Sequence, residues 1–154
     1  MARPRPLDER QRLLWKAYRD VYQRLIEVLQ EQLARDAGLS GSEYAVLVEL
    51  SHAPGGALRA RDICGVLGWD RSRLSHLVRR MEKRGLVVRE ECADDARGSM
   101  VCLTDEGRGA VRDAAPEHSE AIRRSFFNQL SDDELAVLTA VLDRLLANLE
   151  RPTT

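Results

Sequence analysis

Apolar residues recur three or four positions apart along the first part of the chain. Between Leu14 and Leu33 this spacing is typical of an amphipathic helix, and its extent predicts about five or six turns. Gly38 can end the helix, because glycine readily adopts the left-handed conformation found just beyond a last turn. We therefore expect a long first helix with one continuous apolar face.

Two shorter helices and a strand are predicted next. Ser40 or Ser42 can cap a second helix that stops at Ala53, where a Pro-Gly-Gly run interrupts the apolar spacing. A short extended segment over residues 57–59 then leads to a brief helix over residues 60–67.

The following helix, residues 71–84, has the best-defined ends in the sequence. Asp70 is a favourable N-cap, and Gly85 suits the position after the last turn. Trp69 can pack on Leu74 across the first turn. One side of the helix carries the apolar residues Leu74, Leu77, Val78 and Met81. The other side carries Arg71, Ser72, Arg73, Ser75, His76, Arg79 and Arg80.

After Gly85 the spacing changes from helical to extended. Residues 86–90 and 100–103 are short β-prone runs on either side of a polar segment, residues 92–99. This order predicts a hairpin with a polar tip.

Two helices are predicted in the last third of the chain. Thr104 starts a long one that extends to about Gln129, and Pro116 is expected to bend it or break one turn. Ser131 begins a capping box that starts a closing helix. The apolar face of this closing helix, which needs a partner surface, consists of Leu135, Leu138, Leu142, Leu145 and Leu149.

Composition places the chain among globular proteins. It has 154 residues, of which 44% are hydrophobic and 32% charged. No apolar run approaches the about 18 residues of a membrane span, and no signal peptide is visible, so a cytoplasmic location without a membrane partner is expected. Three widely spaced cysteines, Cys64, Cys92 and Cys102, indicate neither a disulfide framework nor a zinc site.

The net charge of −1 conceals a separation of charge along the chain. Residues 71–84 contain six basic residues against Glu82 alone, a net of +5. Residues 113–150 contain three basic residues against eight acidic ones, a net of −5. The basic segment coincides with the helix whose polar side is free.

A short helix, a turn at Gly68, a capped basic helix and a hairpin together predict a winged helix-turn-helix. Its residue types suit duplex DNA, since arginine can bond a guanine edge or a phosphate and serine can bond either. The alternative is an ordinary solvated helix face. The hairpin that follows at the right distance makes that alternative weaker.

Three motifs carry a resemblance to a known family. LGWDRSRLSHLVRRMEKRGLVVR at residues 67–89 is followed by DARG at 95–98 and VCLTDEG at 101–107. They resemble the recognition helix, the wing and the wing-to-helix junction of the MarR family of bacterial transcriptional regulators. The spacing of the second and third motifs is the specific part of this signal.

The resemblance implies a mainly α-helical fold with a small β-hairpin wing, in the order α-α-β-α-α-β-β-α-α. It covers residues 1–154 as a single chain, with a winged helix-turn-helix lobe at 55–104 and a helical dimerisation region formed by 8–36 and 105–151. It further implies a homodimer that binds a pseudo-palindromic operator in double-stranded DNA as a repressor and is released by a small ligand, aromatic or anionic in character. Neither a cofactor nor a metal is implied.

The same resemblance assigns residues to the DNA contact. On the recognition helix these are Arg71, Ser72, Arg73, Ser75, His76, Arg79 and Arg80. In the wing, Arg97 is expected to enter a minor groove, and Asp95 can pair with it and hold the loop. A surface salt bridge of little consequence is the alternative for this pair.

Aromatic residues are candidates for a ligand cleft between the dimerisation helices and the DNA-binding lobe. They are Trp15, Tyr18, Tyr22 and Tyr44, together with His118. Aromatic residues at helical spacing more often belong to a core or a dimer interface, and that alternative remains open. For His118, a bond to a backbone carbonyl freed by Pro116 is the competing interpretation.

Three other functions fit the sequence less well. A thiol sensor of the same fold is disfavoured because no cysteine lies near the start of the first helix, and acidic neighbours should make Cys92 unreactive. An enzyme is disfavoured because no nucleophile-elbow, phosphate-loop, dinucleotide or metal-ligand motif is present. A helical dimerisation module without DNA binding would leave the basic helix and the wing unexplained.

Overall fold

The computed structural model describes residues 5–92 and 95–150, and for residues 91, 92 and 95–98 it describes the backbone alone. Within these ranges the helices are α1 (Glu9–Ala37), α2 (Gly41–His52), α3 (Ala60–Leu67), α4 (Arg71–Lys83), α5 (Asp105–Ser125) and α6 (Asp132–Leu149). The strands are β1 (Ala57–Arg59), β2 (Val87–Cys92) and β3 (Asp95–Leu103). The predicted order of elements is confirmed. The chain divides into two compact units, one ending at His118 and the other beginning at Ser119.

Helix α1 is longer than predicted. It has 29 residues, about eight turns, whereas the apolar spacing predicted five or six. The added turns begin at a capping box, in which the Asp8 carboxylate accepts a 2.8 Å bond from the backbone amide of Gln11 and the Gln11 side-chain oxygen accepts a 3.0 Å bond from the backbone amide of Asp8. The predicted length was wrong because the residues just after Asp8 are polar and show no apolar periodicity. The capping box sets the start of the helix there.

The three strands form one antiparallel sheet in the order β1-β3-β2. Strand β3 is central: Leu58 of β1 pairs with Val101 on one side of it, and Val88 of β2 pairs with Cys102 on the other. The hairpin is confirmed, but its expected polar tip over 92–99 is mostly strand, since β3 already begins at Asp95. Backbone pairing continues into the wing because ladder hydrogen bonds do not depend on side-chain polarity.

The ends of α4 follow the sequence closely. The Asp70 carboxylate accepts a 2.8 Å bond from the amide of Arg73. At the other end Gly85 has φ +72°, and the Leu86 amide donates back to the Met81 carbonyl at 3.0 Å. Both predicted caps are therefore confirmed.

Helix α5 departs from expectation at two places. It ends at Ser125, and residues 127–129 form a separate 3-10 turn. The helix also continues through Pro116, so the expected break is absent between Asp105 and Ser125. Proline removes one amide donor but has a φ compatible with a helix, and exposed Pro116 leaves its surroundings open to water.

One apolar core lies in the first unit and joins α1 and α2 to the helix-turn-helix and the sheet. Its most buried members include Leu33, Leu39, Val46, Leu47, Leu50, Ile63, Leu74, Leu77, Val78, Met81, Val87 and Val101. The stripe predicted for α4 lies entirely in this core. Burial of that stripe fixes the rotation of α4 and leaves its polar side outward.

Apolar side chains are exposed on α1 and, in the second unit, on α6. Those of α1 are Leu13, Leu14, Trp15, Tyr18, Val21, Tyr22, Ile26 and Val28. Helix α6 has no buried residue, and Leu145 and Leu149 are 53% and 77% exposed. Contiguous apolar surface of this kind marks a contact with another molecule. Among the described helices, none combines the length and the apolar content needed to cross a membrane.

Candidate nucleic-acid interface

The free side of α4 presents a row of polar side chains. All seven predicted contact residues on this helix are exposed: Arg71, Ser72, Arg73, Ser75, His76, Arg79 and Arg80. The apolar stripe on the reverse side is at most 2% exposed, so the helix cannot turn these residues inward without losing its core contacts. They form a fixed basic row at the surface.

Arg73 has a defined position within this row. Its guanidinium carbon lies 4.2 Å from the centre of the Trp69 ring, in cation–π geometry. Its Nη2 atom lies 3.5 Å from the Ser42 hydroxyl on α2, at the long limit of a hydrogen bond. Trp69, in the turn, and Ser42 therefore bracket this arginine.

A basic cavity of about 410 Å³ opens beside the same helix, between α3, α4 and the sheet. It is lined by Arg59, Arg61, Arg71 and Arg89, together with Ser75 and Ser99. Among the described residues, Arg59 and Arg71 have no acidic partner, whereas Arg89 pairs with Glu82 at 2.6 Å and Arg61 lies 3.4 Å from Asp62. The cavity therefore has an excess of positive charge and can hold an anionic oxygen group.

Arg59, Arg61 and Arg89 were missed by sequence reasoning. They lie on β1, α3 and β2, and no spacing along the chain connects them with Arg71. Arg59 and Arg89 reach the cavity from the two strands that flank β3. Their proximity depends on strand order, which a single sequence does not state.

The predicted wing residues fall where side chains lie outside the described part of the structure. Both Asp95 and Arg97 belong to β3, and Asp95 is paired with Cys92 across the hairpin. Both residues therefore lie at the end of the hairpin where β2 and β3 are connected. Their proposed pairing stays a prediction.

The five candidate ligand residues separate into two groups. Tyr44 and His118 are in contact, with ring centres 4.6 Å apart and edge-to-face geometry. Trp15 and Tyr18 stack on each other at 5.6 Å on the exposed side of α1, and Tyr22 is exposed one turn later. Tyr22 is ten residues from the part of α1 that reaches His118, about 15 Å along the helix. Within one chain they do not line one cleft.

His118 is linked to α1 through Gln32. Its Nδ1 atom lies 2.9 Å from the Gln32 amide oxygen, so Nδ1 carries the hydrogen and donates it. Gln32 in turn donates to Asp36 at 3.2 Å. Burial lowers the pKa of His118 and raises the pKa of Tyr44, so both stay neutral near pH 7. The proposed bond to a carbonyl freed by Pro116 is replaced by this contact with Gln32.

The cysteines lie on three different elements of the described ranges. Cys64 is half-buried and lines the basic cavity, Cys102 lies in β3, and the side chain of Cys92 lies outside the description. No group of three or more potential metal ligands was found among the residues described.

Comparisons with known proteins agree with this architecture. A model of the MarR family matches residues 37–98, from the end of α1 into the wing. A MarR family transcriptional regulator from Streptomyces coelicolor, Sco3205, solved in complex with DNA, is 36% identical, with a TM-score of 0.91 over 98% of this chain and 95% of its own. A second regulator from that organism, AbsC, is 33% identical, with a TM-score of 0.88 over 95% of this chain and 98% of its own. The regulator MhqR of Bacillus subtilis is 24% identical over 139 residues, 90% of each chain.

Proposed function

Since the chain belongs to the MarR family of DNA-binding transcriptional regulators, we propose that it represses transcription by binding a pseudo-palindromic operator as a homodimer in the cytoplasm. The observation that carries this proposal is the basic face of the helix-turn-helix, where the exposed row of α4 adjoins the arginine-lined cavity. A row of arginine and serine can contact base edges in the major groove, and the cavity can hold a backbone phosphate beside it. The family consists of regulators and not of enzymes.

The wing completes this contact. Arg97 enters the minor groove next to the recognition helix, and Asp95 holds the loop that carries it. The DNA-binding lobe then extends over residues 55–104, and residues 8–36 and 105–151 form the dimerisation region. The exposed apolar faces of α1 and α6, described above, support this division.

Dimerisation is tested by replacing Leu145 with aspartate. The side chain is 53% exposed in the single chain, so the fold tolerates a charge there, but an apolar dimer contact does not. We expect the wild-type protein to be a dimer of 17.4 kDa chains and the variant to be a monomer at micromolar concentration by light scattering. Arg144→Asp, an exposed neighbour outside the leucine stripe, is the control and should remain dimeric. A monomeric wild type, or a dimeric Leu145→Asp variant, contradicts the proposal.

The role of the cavity is tested with two duplexes. One, the selected duplex, is enriched by the wild-type protein from a random-sequence pool, and the other is a scrambled duplex of the same composition. Arg59→Ala is expected to weaken binding to both by the same factor and to reduce the slope of log K against log salt by about 1. Fluorescence anisotropy over a KCl series measures this slope.

Arg112→Ala is the matched control for Arg59→Ala. It removes the same charge from an exposed position on α5 that does not line the cavity, so the salt slope should not change. A loss by Arg59→Ala confined to the selected duplex, or no loss at all, argues against a phosphate contact.

Release by a small molecule is a further part of the proposal. Tyr44 and His118 offer an aromatic wall and a neutral polar group at the contact between α2 and α5. The other three aromatic candidates, Trp15, Tyr18 and Tyr22, lie nearer the start of α1. They can reach such a ligand only from the second chain of a dimer. Thiol control remains the alternative, and Cys64 in the basic cavity is its candidate.

A further inference from the structure

Trp69 is fixed by the turn that connects α3 with α4. Gly68 before it has φ +65°, and the Trp69 amide donates to the Cys64 carbonyl at 3.0 Å. The indole is half-buried and packs against the apolar core. The next residue, Asp70, accepts the amide of Arg73 at 2.8 Å. One turn therefore fixes both the aromatic ring and the backbone of the arginine above it.

Trp69 and Arg73 are in cation–π contact, with the guanidinium carbon over the ring, 4.2 Å from its centre. All five N–H donors of an arginine lie in the plane of the group, so stacking on a ring leaves them available. Here one of them points towards Ser42 at 3.5 Å, and Arg73 has no ion pair among the described residues. Arg84 and Arg89 differ, because their donor edges are occupied by Glu43 at 2.8 Å and by Glu82 at 2.6 Å.

We propose that Trp69 is a positioning residue that holds the guanidinium of Arg73 in one plane, with no carboxylate of the described residues on its donor edge, for a paired contact with a guanine edge. This inference rests on the proposed function. A paired contact with guanine N7 and O6 requires the plane of the guanidinium to match the plane of the base. Contacts with phosphate carry no sequence information. Trp69 therefore contributes to the choice of sequence more than to general affinity for DNA.

Fixing the side chain beforehand also lowers the cost of binding. A free arginine must lose rotamer freedom when it contacts a base, whereas a stacked one has lost part of it already. Arg73 lies in the first turn of α4, and the N-terminal residues of a recognition helix are those that contact bases. The position of Arg73 on the helix thus agrees with the proposed contact with a guanine edge.

The experiment uses the selected and scrambled duplexes with the full-length dimer. Trp69→Leu is expected to weaken binding to the selected duplex about three- to tenfold and to change binding to the scrambled duplex less than about twofold. Trp69→Phe keeps a ring face and should stay within about twofold of wild type on both. When combined with Arg73→Ala, Trp69→Leu should cause no further loss, whereas with Arg79→Ala the two losses should multiply.

The possible outcomes separate this inference from the proposed function. A folded Trp69→Leu variant that binds the selected duplex like wild type, or whose loss multiplies with that of Arg73→Ala, overturns the role of Trp69 alone. A wild-type protein that does not distinguish the two duplexes overturns the proposed function. If thermal melting shows that Trp69→Leu does not fold, Arg73→Lys decides. Lysine keeps the charge without the planar edge, so we expect the full loss of Arg73→Ala, and wild-type affinity contradicts the inference.

Discussion

Replacing Gly107 with alanine is expected to lower the free energy of unfolding by about 3 kcal/mol or more, a large overpacking penalty. Gly107 is buried in the first turn of α5. A Cβ atom there would lie against the Leu86 carbonyl, 3.0 Å from its carbon atom and far inside contact distance of its oxygen, and 2.9 Å from Leu103 Cδ1. The helix and the strand must separate to admit it.

The Leu86 carbonyl cannot move aside easily. It accepts the amide of Thr104 at 3.3 Å and lies 2.9 Å from the Thr104 hydroxyl, which also approaches the Gly85 carbonyl at 2.6 Å. The same hydroxyl accepts the amide of Gly107 at 3.0 Å. Thr104 and Gly107 thus belong to one junction between the sheet and α5. This explains in physical terms the threonine and glycine of the VCLTDEG motif.

Gly109→Ala is the matched control for Gly107→Ala. Gly109 lies two residues after Gly107 on α5. Among the described residues, the only atom within 4 Å of a Cβ added there is Nη2 of the flexible Arg112 side chain, at 3.9 Å. Because alanine is the better helix former, this change should raise stability by up to about 1 kcal/mol. Urea denaturation of both variants measures the difference. Equal stability of the two variants would show that the sheet and α5 do not meet at Gly107.

Arg84→Met is expected to lower the free energy of unfolding by about 2 kcal/mol. This loss is smaller than that for a fully buried ion pair because the Arg84 side chain is 43% exposed. The guanidinium bonds Glu43 at 2.8 Å and the Gly38 carbonyl at 2.9 Å, and so ties the end of α4 to the α1–α2 junction. Methionine leaves the Glu43 carboxylate buried without its cation. Lys83→Met, the exposed neighbouring change, should cost less than about 0.5 kcal/mol.

The pH dependence of this difference gives a second test. Burial acts to raise the pKa of Glu43, but hydrogen bonds from Ser40 and Arg84 outweigh it and hold the pKa below its usual 4.5. A lowered folded-state pKa stabilises the protein above the unfolded-state value, and that stability is lost as the pH falls through the folded-state pKa. The difference between wild type and Arg84→Met should therefore be full at pH 7 and shrink below about pH 4. A difference that stays constant down to pH 3 would contradict the assigned pair.

Features set by local chemistry were predictable from the sequence. The caps of α4, at Asp70 and Gly85, depend on neighbouring residues, and the structure has both. The start of α1 was missed because only the Asp8–Gln11 capping box specifies it. The length of the wing was missed because strand pairing there is made by backbone groups, which polar side chains do not reveal.

The site was predictable only where it lies on one helix. The row on α4 follows from a single spacing, so its exposed side could be listed residue by residue. The cavity needs the order of three strands to bring Arg59 and Arg89 to Arg71, and no local pattern encodes that order. The aromatic candidates have similar chemistry but different positions, since Tyr22 is exposed on α1 whereas His118 packs on Tyr44.

Selection of bound duplexes from a random-sequence pool shows whether the protein recognises an operator. We predict enrichment of an inverted repeat whose half-sites lie about one helical turn, or a multiple of it, apart, bound by one dimer. The affinity for this duplex should fall steeply as salt is raised, because basic residues on both DNA-binding lobes contact phosphates. Failure to enrich any sequence, together with no binding to duplex even at low salt, would show that the chain is a helical dimerisation protein without DNA binding.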